Sequence, residues 1–157
     1  VESSCEVTMR TLSLIAALSF ATVAAAEEVQ VATPIGKTLT ATKVTNPAES
    51  SPEGVMRDSI AMITAGQFDA WIAKHCHPSM CPADPAAIEA LRNYNLTTAK
   101  KTAGACVHDD GKTLLVTRRD ASDTKVTVYV WCGDKRMPAP ASVEKVGENW
   151  KVTSFSW

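Results

Sequence analysis

No charge of one sign dominates this sequence. It holds 16 Lys+Arg and 17 Asp+Glu in 157 residues. Without residues 1–26, which contribute Glu2, Glu6 and Arg10, fifteen of each sign remain. Such balance gives no global pull toward nucleic acid or an anionic membrane. The basic pairs Lys100-Lys101, Arg118-Arg119 and Lys135-Arg136 read as solvated strand ends and turns. Missing too is the Gly-x-Ser-x-Gly elbow of a hydrolase. No glycine-rich phosphate loop occurs, and no second cysteine pair follows at structural-zinc spacing. No cofactor is expected. The longest apolar run, Leu12 to Ala26, is shorter than the roughly 20 residues that span a bilayer.

What is present is enough for a core, with 45% hydrophobic and 21% charged residues. One domain is expected at this length. The start of the chain reads as a leader. Met9-Arg10 supplies a start and a positive charge, the apolar run follows, and Ala24-Ala25-Ala26 puts small residues before Glu27-Glu28. That order marks residues 9–26 as a signal peptide. Residues 1–8 carry two acids and read as a start assigned too early. The working protein is then periplasmic or secreted, begins near Glu27, and has no membrane contact after cleavage.

Export changes the reading of the cysteines. Cys5 leaves with the leader, and Cys76, Cys81, Cys106 and Cys132 remain. Four cysteines in an oxidising compartment read as two disulfides, with three connectivities open. Closeness in sequence favours Cys76–Cys81. Cys106–Cys132 then joins two expected strands.

Residues 27–50 read as a flexible arm with at most one short strand, and residues 51–157 as a single α+β domain. Ser51 and Pro52 suit the N-cap and first position of a helix. Val55, Met56, Ser59, Ile60 and Ile63 recur at helical spacing, and Ala65-Gly66 ends the run. A second helix, Gln67 to Lys74, buries Phe68, Trp71 and Ile72. A third starts at Asp84-Pro85 with Ile88 and Leu91. Strands are expected at 100–108, 112–119, 124–132, 140–147 and 149–157, joined by short turns such as Asp109-Asp110-Gly111. Helices first and an antiparallel meander after them make an α+β arrangement. Simple alternation puts Trp150 and Val152 on one face of the last strand and Phe155 and Trp157 on the other. The second sheet face then needs a cover: another chain, the arm, or a ligand.

The run Ala65-Gly66-Gln67-Phe68-Asp69-Ala70-Trp71, with the closing Gly147-Glu148-Asn149-Trp150-Lys151-Val152, resembles the nuclear transport factor 2-like superfamily over roughly residues 50–157. The resemblance implies N-terminal helices packed on a curved antiparallel meander of four to five strands, a cystatin/NTF2-like cone with a cavity at its open end. It also implies a possible homodimer through the sheet. Enzymes of that superfamily place an acid–base pair in the cone. Here Asp69 reads as a helix cap, Tyr94 and Tyr129 are the only tyrosines, and no catalytic set carries over.

The densest chemistry is His75-Cys76-His77-Pro78-Ser79-Met80-Cys81. Thiolate, thioether and imidazole together suit copper or zinc, so His75, His77, Cys76 and Cys81 are weak metal candidates. A disulfide competes for the same thiols. His108 beside Asp109 and Asp110 reads as turn chemistry. Trp71, Arg118, Tyr129, Trp131, Phe155 and Trp157 are candidates to line a pocket or interface. The expectation is an exported binding or scaffold domain that holds a small ligand or a protein partner without evident catalytic machinery. An isomerase-, dehydratase- or cyclase-type enzyme using the cone is the alternative, and metal binding by the His75–Cys81 loop the second.

Overall fold

The computed structural model describes residues 26–133, 135 and 137–157. Residues 1–25 of the expected leader, Cys5 among them, therefore lie outside the described residues. Six strands run in chain order across one antiparallel sheet: β1 (Glu27–Ala32), β2 (Thr38–Thr45), β3 (Thr113–Ala121), β4 (Lys125–Val130), β5 (Ala139–Val146) and β6 (Asn149–Phe155). The helices enter between β2 and β3 as α1 (Pro52–Thr64), α2 (Phe68–His75), α3 (Pro85–Ala90), a π-helical stretch (Leu91–Leu96), α4 (Thr97–Thr102) and a 3-10 turn (Ala103–Cys106). The α+β class is therefore as read from the sequence, but with six strands, and with two of them ahead of the helices.

Local signals explain the elements that were legible. The Ser51 hydroxyl accepts the Gly54 N–H at 3.0 Å, and the Asp84 carboxylate accepts the Ala86 N–H at 3.2 Å. Each satisfies a donor that the first helical turn leaves without a partner. Gly66, at φ 74, ends α1 in the left-handed region where only glycine is unstrained. Asp109, Asp110 and Gly111 all have positive φ and form the expected tight turn. Gly147 and Glu148 close the β5–β6 hairpin, with Val146 opposite Asn149.

Two segments differ from the sequence reading. The supposed arm forms β1 and β2, a hairpin pairing Glu27–Ala32 with Thr38–Lys43. What fixes β2 is its pairing with β3, Thr42 opposite Val116 and Val44 opposite Leu114, a contact made far along the chain. Of residues 100–108, read as a strand, 100–106 lie in α4 and the 3-10 turn, and only His108 bridges a strand residue, Thr113. Leu96, Ala99 and Ala103 are fully buried at three- and four-residue steps, a helical period that the Thr- and Lys-rich local composition obscured.

The core sits between the helical layer and one sheet face. The fully buried Met56, Ile60, Ile63, Trp71 and Leu96 meet Leu114, Val126, Val128, Val130, Val143 and Val152 in one cluster. Burying such side chains contributes roughly 1.5–3 kcal/mol each. Phe155 and Trp157 belong to this side as well, contrary to the alternation read from sequence. Val143 pairs with Val152 but Ser142 pairs with Ser154, so Thr153 is an extra residue. The resulting bulge shifts the phase of the strand and returns Phe155 to the core, edge-on to Trp71 at 5.9 Å. The opposite face needs no apolar cover there, because it carries polar and charged pairs: Thr127 with Ser142 at 2.7 Å and Lys125 with Glu144 at 2.8 Å. Val31 and Ala41 are buried yet stand apart from the main cluster.

Candidate functional site

The two disulfides are Cys76–Cys81 and Cys106–Cys132, with Cα separations of 6.0 and 4.1 Å. Cys106 ends the 3-10 turn and Cys132 follows β4, so the second bond ties the helical layer to the sheet. The first closes the loop after α2. There the His77 N–H donates to the Val152 carbonyl at 2.9 Å, and Cys76 bridges Val152 in parallel. This loop therefore lies along the outer edge of β6 and satisfies backbone groups that an edge strand exposes.

Directly beside the first disulfide, α1, the end of α2 and the β5–β6 hairpin enclose a half-open cleft of about 440 Å³. Its walls include Glu49, Val55, Asp58, Lys74, His75, Glu148, Trp150 and Lys151. The helical period sets the floor. Asp58 stands one position before the buried Ser59 on α1, half in and half out. His75 is the last residue of α2 and is buried. Its Nε2 lies 2.6 Å from Asp58 Oδ2, and the Lys74 ammonium meets the same oxygen at 2.6 Å.

Two influences compete at this pair. Burial pushes the imidazole below its ordinary value of 6.5, and it outweighs the hydrogen bond to Asp58, which raises it. Burial also pushes the Asp58 carboxyl up, but the hydrogen bonds from Lys74 and His75 together hold it below the usual 3.8. At neutral pH the pair is thus a neutral histidine and an ionised carboxylate. A carboxylate only accepts, so Nε2–H must donate and the lone pair resides on Nδ1. The arrangement is a charge-assisted hydrogen bond rather than an ion pair. The Lys151 ammonium donates to the Lys74 carbonyl at the C-terminal end of α2, where the helix dipole favours a cation.

The residues singled out from sequence scatter over three places. Trp71, Phe155 and Trp157 are core residues, the last two stacked at 4.8 Å. Arg118 lies over the Tyr129 ring at 5.0 Å and beside Asp120, on the sheet face away from the helices. Trp131 stacks on His108 at 5.2 Å. The buried indole N–H groups of Trp71, Trp131 and Trp157 have no protein acceptor, an arrangement that costs about 1–3 kcal/mol each unless water reaches them. Asp69 is exposed and pairs with Arg92, and Tyr94 is exposed.

In the His75–Cys81 loop the ligand types go elsewhere. Both thiols are in the disulfide, His77 Nδ1 accepts the Ser79 N–H at 3.0 Å, and His75 is held by Asp58. Among the described residues no group of three or more His, Cys, Asp or Glu is placed to hold a metal ion. Sequence reasoning found His75 but not Asp58, Lys74, Glu49, Glu148 or Lys151. A signal for Asp58 existed: an acid beside the apolar stripe of α1 sits at the rim of its buried face. Its partner, seventeen residues on, could be assigned only from the packing of α1 on α2. Compared with known proteins, the chain matches no family model, no curated protein and no solved structure.

Proposed function

We propose that this chain is an exported, disulfide-stabilised binding domain whose cleft between α1, α2 and the β5–β6 hairpin takes a small polar ligand. One observation carries the reading. Glu49 and Glu148 line the cleft with no hydrogen bond or close ion pair among the described residues, Glu49 within electrostatic reach of Lys74, over a core already filled by Trp71 and its neighbours. Charged groups left uncommitted in a concavity are what a polar ligand requires. Export is supported by the leader pattern and by two disulfides of the kind an oxidising compartment sustains. The cone-shaped, nuclear transport factor 2-like arrangement belongs to the same proposal. Its support is the glycine break between α1 and α2 and the closing β5–β6 hairpin. Pairing of two copies through the sheet is part of it too.

Native mass spectrometry of the exported protein tests the reading. A mass starting at Glu27, four hydrogens below the reduced chain, with a small adduct lost on denaturation, is the expected result. A bare protein that no small polar compound stabilises against heat overturns it.

A second reading, a proton-transfer enzyme, is favoured by the buried His75 held 2.6 Å from Asp58 at the cleft floor. Such a dyad orients an imidazole as a general base. A cleft ligand that exchanges a carbon-bound proton with deuterated water, and stops doing so in His75→Gln, would put the enzyme first. Exchange that His75→Gln leaves unchanged, or none at all, removes it.

A further inference from the structure

The two disulfides stand in opposite surroundings. Thiol–disulfide exchange needs an incoming thiolate to reach one sulfur of the bond. Cys106 and Cys132 are 0% and 1% exposed between the helical layer and the sheet, so the folded chain shields both. Cys76 is 7% exposed, but Cys81 is only half-buried in the loop after α2. A thiolate from outside therefore has one cysteine to approach, Cys81.

The reachable bond also holds something. Its loop meets the outer edge of β6 through the His77 N–H, which donates to the Val152 carbonyl at 2.9 Å, and through the bridge from Cys76 to Val152. Within the loop the Met80 and Cys81 N–H groups both donate to the His77 carbonyl at 2.9 Å. That is a single turn, and one turn is marginal in water unless something closes it. Immediately before the loop the chain forms a wall of the cleft: His75 is held by Asp58, and the Lys74 carbonyl accepts the Lys151 ammonium. α2 has only eight residues, so the disulfide sits at the end of a short helix that carries this wall.

From this we infer that Cys76–Cys81 is a redox clasp. A dithiol reductant opens it, the loop leaves the β6 edge, and the wall at Lys74 and His75 loosens, while Cys106–Cys132 keeps the fold. Only the part that concerns the cleft rests on the binding reading given above. In the reaction a thiolate of the reductant attacks the Cys81 sulfur, the Cys76–Cys81 bond breaks, and Cys76 leaves as a thiolate and takes up the proton that the attacking thiol lost. The reductant's second thiol gives up its proton and attacks the mixed disulfide, and Cys81 departs and takes up that proton. Two electrons pass to this chain, which gains two thiols, and the reductant becomes a disulfide. The fold survives because the clasp closes a loop with a sequence separation of only 5, against 26 for the bond that stays.

Graded dithiothreitol on the whole exported protein, with trapping by N-ethylmaleimide, peptide mass mapping and hydrogen exchange on the same samples, tests it. Cys76 and Cys81 should label at a reductant concentration at least about tenfold below that needed for Cys106 and Cys132. In that partly reduced form, amides of residues 74–81 should exchange about tenfold faster or more, and those of β4 should not change. The double variant Cys76→Ser/Cys81→Ser should show the fast exchange with no reductant present. Labelling of all four cysteines together, or of Cys106 and Cys132 first, overturns the inference. Unchanged exchange at His77 in the labelled form overturns it too, because the clasp then holds nothing. Fast exchange at His77 with Lys74 and His75 still protected removes the link to the cleft wall. None of these readouts uses a ligand, so their failure leaves the binding reading standing, and a protein that binds nothing can still pass them.

Discussion

Replacing Cys106 and Cys132 with alanine should cost far more stability than replacing Cys76 and Cys81. The two bonds close loops of very different size, with sequence separations of 26 and 5. In the chain-entropy account, a closed loop of that larger size restricts the unfolded chain by about 3.5 kcal/mol at 25 °C, and the smaller by about 2. The location of the larger bond points the same way. Cys106 and Cys132 are both fully buried between the helical layer and β4, so two alanines leave a void there as well as a freer unfolded chain. Cys81 is only half-buried, and its loop can relax. For a domain of this size, 3.5 kcal/mol corresponds to roughly 10–15 °C in melting temperature. Guanidinium unfolding followed by far-ultraviolet circular dichroism, on both double variants and the parent, measures the difference directly. Equal losses, or a larger loss for Cys76/Cys81, would refute the reasoning and place the stabilising effect in the β6 edge contact instead.

Three further outcomes are expected. Because burial lowers the His75 pKa below 6.5, the unfolded chain binds more protons than the folded one just below that pH. Stability is therefore complete above 6.5 and falls as the pH drops from there toward the folded value. Denaturant midpoints between pH 7.5 and 5 should show this slope, and His75→Gln should flatten it; an unchanged slope in the variant would assign it to other groups. Gly54→Ala should destabilise although alanine is the better helix former by about 1 kcal/mol, since the added methyl overlaps the Ala48 carbonyl. A stabilised variant in thermal melts would show that the loop before α1 yields freely. Trp71→Ala empties the centre of the core and should lose roughly 3–5 kcal/mol in urea unfolding; a loss below about 1 kcal/mol would mean that the core collapses around the gap.

Short-range chemistry settled much of this fold from the sequence. Ser51-Pro52 and Asp84-Pro85 start helices because a cap and a fixed φ act within one turn. Asp109-Asp110-Gly111 and Gly147-Glu148 reverse the chain because so few residues tolerate positive φ. The apolar face of α1 and the buried Val126, Val128 and Val130 of β4 follow from periods of 3.6 and 2. The cysteine pairing was legible for a similar reason: one pair is close in sequence, and the other two then have only each other. Long-range contacts decided the rest. β2 is a strand because β3 lies beside it, residues 97–106 are helical because Ala99 and Ala103 have a core to enter, and the bulge at Thr153 turns Phe155 onto Trp71. The cleft belongs to this second group. Asp58 and His75, Glu49 and Glu148 lie on four separate segments, and no local pattern links them. Only the packing of α1 and α2 against the β5–β6 hairpin brings their charges to one place.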